Sequence, residues 1–439
     1  MSKYEAFIFK SYNFNPRDKV LRLIYGYDDS LEFTEEYFFD FGFAEYDEAV
    51  LDRAIQTLFF LAGISYYKAY LPNKILVKKG QIDETTAQFL STSYKNGLGE
   101  FFYVNGLNPR TKISFPINSK ALHPITSSAQ GSLIGIGGGK DSILAVEILR
   151  DVVNFDTWSL GHRQQLAPLI ETLEPSKHFW VERKLDAQLF ELNESDALNG
   201  HIPISAILAA TGMVTAILSG NRDVIVGNES SSNDPTLEYE GMFINHQWSK
   251  SLEFEIIFKS YLNHIFNQSL RYYSILRPYS ELRIAELFAE NGFEKYKHVF
   301  TSCNRAFRQG QTTISWCGEC PKCAFVFLIF SPFVERDELE KLFGKNLLLE
   351  PSMKPTYQQL LGVQADKPLD CVGEIRESRM AMNLTKKYYS NGELEKYIYS
   401  LDDNYDYRQH SRHNIPEDVM DKLKRRLSSL RSRVGCVLE

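Results

Sequence analysis

The chain has 439 residues, 44% of them hydrophobic, and a formal net charge of −7, which predicts two or three domains with ample material for a core. The acidic balance argues against a broad electrostatic footprint for RNA or DNA, so no nucleic-acid partner is expected. No apolar run approaches the 18 or so residues of a membrane span, and MSKYEAFIFK lacks a signal-peptide core, so a cytoplasmic protein without a membrane partner is expected. Residues 1–117 are expected to form an aromatic-rich α+β domain. Phe7 and Phe9, then Leu21, Leu23, Tyr25 and Tyr27, then Phe33, Phe39, Phe41 and Phe43 alternate as in antiparallel strands that turn at Asn15-Pro16 and Asp28-Asp29. Asp47 is placed to cap a helix running to about Tyr70, and Asp83 to cap a second. These aromatics fit a strand core better than a platform for stacking a nucleotide or sugar. Pro116 to Gly131 reads as a linker, with Pro124 and several serines in it.

From Ser132 onward, apolar strands alternate with helices, which argues for a parallel sheet covered on both faces in a second domain, residues 118–335. The stretch Ser132 to Arg150 is a buried strand (Leu133, Ile134, Ile136), a glycine loop and an amphipathic helix. Gly137, Gly138 and Gly139 let the backbone approach a ligand and turn successive N–H groups toward an anion at the helix start. Lys140 adds a cation, Asp141 a carboxylate and Ser142 a hydroxyl. The Walker loop does not fit, because Asp141 stands where its Ser or Thr should follow the lysine. The dinucleotide fingerprint fails as well, since Lys140 occupies the place of its third glycine. GGGKDS instead resembles the SGGxDS loop of N-type ATP pyrophosphatases, with Gly137 in place of the serine. That resemblance implies a PP-loop (adenine nucleotide α-hydrolase) sheet, ATP and Mg²⁺ as cofactors, and cleavage of ATP to AMP and pyrophosphate.

Further strands are expected at Val152 to Leu160, around Phe179 to Arg183, and at Asp223 to Val226, with helices near Gln164 to Leu173 and Ile204 to Leu218 between them. Ligands of open α/β sheets bind beyond the carboxyl ends of the strands, so Gly227, Asn228 and Glu229 should share a crevice with the glycine loop, and Asn233 and Asp234 should lie near ATP. His246, Lys250 and Glu253 stand at i, i+4 and i+7 and would share one face of a helix continuing to about Phe266. A short strand Ile275 to Arg277 should follow, then Ser280 as the cap of a helix from Glu281 to Asn291.

Cys303, Cys317, Cys320 and Cys323, spaced Cys-x13-Cys-x2-Cys-x2-Cys, offer the four thiolates of a closed tetrahedral site. Clustering of this kind in a reducing compartment reads as metal binding, with structural Zn²⁺ expected and an iron–sulfur cluster as the rival. The order GGGKDS, VGN, RPYSELRIAEL and SCN…CGECPKC is similar to that of 7-cyano-7-deazaguanine synthases, which carry a four-cysteine zinc site. The fuller set IGGGKDS, NGHIPIS, VGNESSSN, NHQWSKSLEFE, WCGECPKCAFVF and DCVGEI resembles, over nearly the whole chain, the ATP-dependent UDP-N-acetylmuramoyl-L-alanyl-L-glutamate epimerases of peptidoglycan biosynthesis. That resemblance implies an isomerase that adenylates the terminal glutamate, inverts its α-carbon and releases AMP and diphosphate. Its partners would be the UDP-N-acetylmuramoyl dipeptide and ATP.

Residues 336–439 read as a helical region, with helices at Asp337 to Leu342, Thr356 to Leu361, Glu374 to Tyr389 and Gly392 to Ser400. A last helix from Pro416, with Met420, Leu423, Leu427, Leu430 and Val434 on one side, should dock on the body or on a second copy in a homo-oligomer. The terminal Cys436-Val437-Leu438-Glu439 is a poor prenylation box because of its final Glu. The resemblance assigns the loop Gly137 to Ser142, together with Gly227 and Asn228, to ATP, with Lys140 and Ser142 on the phosphates and Asp141 on Mg²⁺ or pyrophosphate. Candidates for the acid or base at the α-carbon are Cys371, His246 and Glu229, with His201 behind them. A deazaguanine-type nitrile- or amide-forming enzyme, or a zinc-stabilised nucleotide-binding protein without catalysis, are the alternatives.

Overall fold

The computed structural model describes residues 3–28, 30–307, 314–364, 366–390, 392–402 and 404–431, with side chains in the last helix described as far as 425. Eleven strands are found among the described residues: β1 (Ala6–Asn15), β2 (Val20–Tyr27), β3 (Leu31–Asp40), β4 (Lys74–Val77), β5 (Ser132–Gly135), β6 (Phe155–Leu160), β7 (His178–Lys184), β8 (Asp223–Val226), β9 (Leu237–Tyr239), β10 (Met242–Ile244) and β11 (Arg271–Ser274). Nine of them form one sheet in the order β11-β8-β5-β6-β7-β3-β2-β1-β4, while β9 and β10 make a separate hairpin. The ladders from β11 through β7 are parallel. Those from β7 through β1 are antiparallel, and β4 returns parallel to β1. The molecule is therefore a mixed α/β structure around a mostly parallel sheet.

The aromatic N-terminal strands do not close into a sheet of their own. β3 pairs with β7, Phe39 opposite Val181, so main-chain bonds carry the sheet from the N-terminal segment into the parallel half. Alternation in β1 to β3 places Phe7, Phe9, Tyr25, Tyr27, Phe33, Tyr37 and Phe39 fully inside. Several buried tyrosine hydroxyls donate to helix carbonyls: Tyr25 to Phe59 at 2.9 Å, Tyr27 to Tyr66 at 2.7 Å and Tyr94 to Phe60 at 2.6 Å. These aromatics are core. A buried ion pair marks the seam, Arg183 Nε on Glu35 Oε1 at 2.8 Å, with the side chains 9% and 0% exposed. Glu35→Ala should cost about 3–5 kcal/mol, because the guanidinium is then left buried without its carboxylate. A urea midpoint equal to that of the parent would contradict this, and Glu35→Leu with Arg183→Met should recover most of the loss.

Helix starts follow the polar caps. Asp47, Asp83 and Ser280 each accept from backbone N–H groups of the first turn of Glu48–Ala62, Glu84–Gly97 and Glu281–Asn291. The first of these ends at Gly63 and is followed by a short turn of helix, Ile64–Tyr67, so the single helix expected to Tyr70 is two. The strand expected at Ile275 to Arg277 lies earlier, at Arg271–Ser274, because pairing with Asp223–Val226 sets its extent and the chain turns from Leu276 to Tyr279. Gly392 to Ser400 is not helical: its bonds, Glu395 to Gly392 and Tyr397 to Leu394, are isolated i to i−3 turns. The last helix, Glu417–Arg431, docks on the body. Val419 is buried, Met420 and Leu423 pack on the core, and Asp418 pairs with Arg271 at 2.7 Å. The side chains of Leu427 and Leu430, together with Val434 and Cys436, lie outside the described residues. No helix among the described residues is long and apolar enough to cross a membrane.

Candidate functional site

β5 is the middle strand of the parallel half, and the glycine loop leaves its carboxyl end. That is where open sheets bind ligands. The helix Lys140–Leu149 begins there with Gly139 as its cap and, among the described residues, no side-chain cap hydrogen bond to its first N–H groups, which suits an anion. Gly138 has φ +90°, and a Cβ on it would lie 2.9 Å from Phe307 and 3.0 Å from Leu166, so both its backbone and its surroundings require glycine. Among the described residues nothing approaches within 4 Å of the Cβ position of Gly137, so none of them excludes the serine of the pyrophosphatase loop. On the far wall, a Cβ on Gly227 would meet the Asp141 carbonyl at 2.7 Å, which brings the β8 turn hard against the loop.

A cavity of about 460 Å³ opens over this loop, lined among others by Gly137, Gly139, Asp141, Ser142, Gly227, Asn228, Lys250, Ser302, Lys322 and Cys371. Trp158, Leu160, Leu166, Leu208 and Phe307 give it an apolar side. Among the described residues the Trp158 indole N–H is buried without a hydrogen-bond partner, on a wall where a polar ligand atom would satisfy it. Asn233 and Asp234, expected near ATP, do not line the cavity. Asn233 Oδ1 accepts from the Leu252 N–H at 2.7 Å, and Asp234 pairs with Lys367 at 2.8 Å.

Lys140 is fully buried and does not line the cavity. Its ammonium lies between Asp141 Oδ1, at 2.5 Å, and Glu281 Oε2. Burial works to lower its pKa, but the two carboxylates hold it above the ordinary lysine value. Lys140 therefore organises the acidic cluster from below, and the cations that do face the cavity are Lys250 and Lys322. Asp141, Glu229 and Glu281 bring carboxylate oxygens within 4.8 Å of one another. Glu229 is buried beneath the wall, where desolvation first and the negative charge of Glu281 next raise its pKa. In Glu281 burial is outweighed by Lys140, Lys322 and Lys250, which keep it ionised.

The second feature of the cavity is Cys371. Its Sγ lies 3.4 Å from Lys250 Nζ and 3.8 Å from His246 Nε2, and the other ring nitrogen of His246 is hydrogen-bonded to Glu100 Oε2. The His201 ring stands 4.4 Å from that of His246. Burial alone would raise the Cys371 thiol, but Lys250, His246 and Lys322 bring it down to about 7. His246, against the cost of its own burial, is pushed up to about 9 by its bonds to Cys371 and Glu100. His201 is lowered to about 4 by burial and by the charge of His246. The expected helical face of His246, Lys250 and Glu253 does not exist, because the helix starts only at Leu252. His246 and Lys250 reach one thiol from a turn. Glu253 instead accepts from the Trp248 indole at 3.1 Å.

The four clustered cysteines converge as well. Cys303 and Cys320 sulfurs are 4.0 Å apart and Cys317 and Cys323 sulfurs 3.7 Å. A tetrahedron with metal–sulfur bonds of ~2.3 Å has edges of ~3.8 Å, so the donor set fits one ion. Backbone N–H groups of Arg305 and Cys323 point at Cys303 and Cys320 Sγ at 3.4 Å, as suits thiolates. The knuckle is tied to the cavity. Thr301 N donates to Gly138 O at 2.9 Å, Cys303 itself lines the wall, and Lys322 bonds the Cys371 carbonyl and lies 3.6 Å from Glu281.

The structure thus joins Gly137, Gly139, Asp141, Ser142, Gly227, Asn228 and Cys371 around one space, and leaves Gly138, Lys140, Glu229 and His246 behind its walls. Sequence reasoning missed Glu100, Trp158, Glu281 and Lys322. Only Lys322 carried a signal, its place inside the CPKC run.

Residues 1–275 match the family model described as MurL N-terminal domain, and residues 299–409 match that described as MurL C-terminal domain. A protein of Xanthomonas oryzae named UDP-N-acetyl-alpha-D-muramoyl-L-alanyl-L-glutamate epimerase is 39% identical over 372 residues, covering 83% of this chain and 82% of that one. Proteins of the same name from Salinispora tropica and a Micromonospora species are 35% and 38% identical. They cover 88% and 76% of this chain and 85% and 75% of their own length.

Proposed function

The chain belongs to the family of UDP-N-acetyl-alpha-D-muramoyl-L-alanyl-L-glutamate epimerases, and from that premise we propose that it converts the terminal L-glutamate of the UDP-muramoyl dipeptide to D-glutamate by first adenylating its carboxylate with ATP. The observation that carries this reading is that the glycine loop and Cys371, backed by His246, line one cavity. Removing an α-proton beside a free carboxylate puts two negative charges on adjacent atoms. Adenylation removes the first of them and lets the second spread into an enolate.

In this reading the loop Gly137 to Gly139 and Ser142 hold the phosphates with backbone N–H groups and a hydroxyl. Asp141, at the mouth of the Lys140–Glu281 cluster, would hold Mg²⁺, which when bound neutralises charge on the departing pyrophosphate. Lys250 and Lys322 face the reacting carboxylate. Cys371 and His246 move the proton at the α-carbon. Glu229 is set aside from that role because its buried carboxylate sits in the cluster with Asp141 and Glu281 rather than against Cys371. The four-cysteine site would hold structural Zn²⁺, and the strand order supports a PP-loop sheet. A UDP-linked substrate and ATP place the reaction in the cytoplasm.

Reaction in deuterium oxide tests the scheme. With UDP-N-acetylmuramoyl-L-alanyl-L-glutamate, ATP and Mg²⁺, the D-glutamyl product should carry deuterium at its α-carbon, pyrophosphate should appear, and no exchange should occur without ATP. Product that keeps its original proton, or exchange without nucleotide, would overturn it and favour the nitrile-forming alternative.

A further inference from the structure

We propose that Cys371 is a nucleophile as well as a proton-moving partner: it takes the glutamyl group from the acyl-adenylate as a thioester, and inversion occurs on that thioester. This rests on the adenylation reading above.

Geometry carries the proposal first. Thiol, imidazole and carboxylate stand in line, Cys371 Sγ 3.8 Å from His246 Nε2 and the other imidazole nitrogen on Glu100. That is the nucleophile, base and orienting-acid arrangement of covalent acyl transfer. The thiol lines the cavity that the glycine loop also lines, so an activated carboxyl formed there has this sulfur as a neighbour. Among the described residues, the charged groups bonded to the thiol are cations, Lys250 at 3.4 Å and His246 at 3.8 Å, and Lys322 holds the Cys371 carbonyl. Such surroundings suit attack better than proton abstraction. Each unit by which a thiol is acidified costs a base a full unit of proton affinity, but costs a nucleophile only about half.

The steps balance. The thiol proton passes to His246 Nε2, a bond forms from Sγ to the glutamyl carbonyl carbon, and the anhydride bond to phosphate breaks with its electron pair leaving on AMP. His246 then loses its proton to water. The loss is easier than before, because the thiolate that raised its pKa has become a neutral thioester. The α-carbon now sits two bonds from a sulfur that is 3.8 Å from His246 Nε2, and in this scheme the neutral imidazole takes the α-proton. Sulfur donates little into its carbonyl, and the α-hydrogen of a thioester is accordingly acidic. A water on the opposite face gives its proton to the α-carbon to form the D product, the hydroxide left behind is neutralised by the proton that His246 took, and a second water cleaves the C–S bond, its proton restoring the thiol and its hydroxyl completing the carboxyl group. Glu100 is a positioning residue, fixing the tautomer that aims Nε2 at the sulfur.

Full-length enzyme with its metal, mixed with UDP-N-acetylmuramoyl-L-alanyl-L-glutamate, ATP and Mg²⁺ and quenched in acid within one turnover, should show by intact mass an adduct equal to substrate less one water. Neutral hydroxylamine should strip it, peptide mapping should place it on Cys371, and omission of ATP or Cys371→Ala should remove it. Cys371→Ala should still release pyrophosphate, which shows that it folds and adenylates. Glu100→Gln should slow adduct formation at least tenfold and move the pH midpoint of Cys371 alkylation upward from about 7. Without Glu100, His246 keeps Cys371 and Asp370 as its counter-charges, with His201 beside it, so it holds its proton less well and the thiolate loses a cation. A parent enzyme that releases pyrophosphate and incorporates α-deuterium with no adduct in the quench would overturn the thioester alone, as would Cys371→Ala that still epimerises. Absence of both pyrophosphate and exchange in the parent would instead sink the adenylation on which the thioester depends.

Discussion

Asp141→Asn is expected to abolish ATP-dependent turnover, a fall of roughly 10³-fold or more in pyrophosphate release. The carboxylate is the one member of the Asp141–Glu229–Glu281 cluster that lines the cavity. The amide keeps its shape and removes its charge. Stability should change by only about 1 kcal/mol, because Lys140 keeps Glu281 as its buried partner and Asp141 is 23% exposed. The product balance is the measurement: AMP and pyrophosphate in the parent, neither in the variant, with an unchanged circular dichroism spectrum. ADP and phosphate as stoichiometric products of the parent would mean γ-phosphoryl chemistry and would remove the reason for assigning Asp141 this role.

Cys320→Ser is expected to lose the bound metal and, with it, several kcal/mol of stability, a large part of the ~10–16 kcal/mol that a structural zinc site contributes to folding. The loss should reach activity too. Cys320 caps the helix Pro321–Phe330, whose Lys322 ties Glu281 to the Cys371 carbonyl, and the neighbouring segment Thr301 to Asn304 walls the cavity. Loosening the knuckle therefore loosens the backing of the glycine loop and the seat of the thiol together. One zinc per chain in the parent, and poor solubility with a lower melting temperature in the variant, are the expected results. Iron with visible absorbance, or an active parent without metal, would contradict the zinc assignment.

Local chemistry was legible in the sequence wherever neighbours along the chain decide it. The loop Gly137 to Ser142 needs glycine conformations and a helix start that immediate neighbours supply. The caps Asp47, Asp83 and Ser280 act within one turn of themselves, and two of the cysteine spacings fall within a single knuckle. The sheet could be read only in halves. Nothing in the aromatic strands of the N-terminal segment announces that β3 pairs with β7, because either edge of such a strand offers the same N–H and C=O groups. A lysine beside a glycine loop reads naturally as a phosphate ligand. What turns Lys140 away from the cavity is Glu281, 141 residues later, whose carboxylate gives the buried ammonium a partner that local sequence does not contain.

By itself, then, the amino-acid sequence determined the glycine loop, the four-cysteine cluster, the alternation of strands and helices and the family resemblance, all of which depend on short-range spacing. The tertiary structure alone decided which of several candidate acids and bases share a space. Cys371, His246 and Glu100 come from segments 125 and 146 residues apart. They meet because the turn after β10, the helix Gly99–Val104 that carries Glu100 and the loop before the helix Ile375–Thr385 converge beside the cavity. In that place Lys250, His246 and Lys322 outweigh the effect of burial and bring the Cys371 thiol to about 7, a value its position in the chain would not have produced.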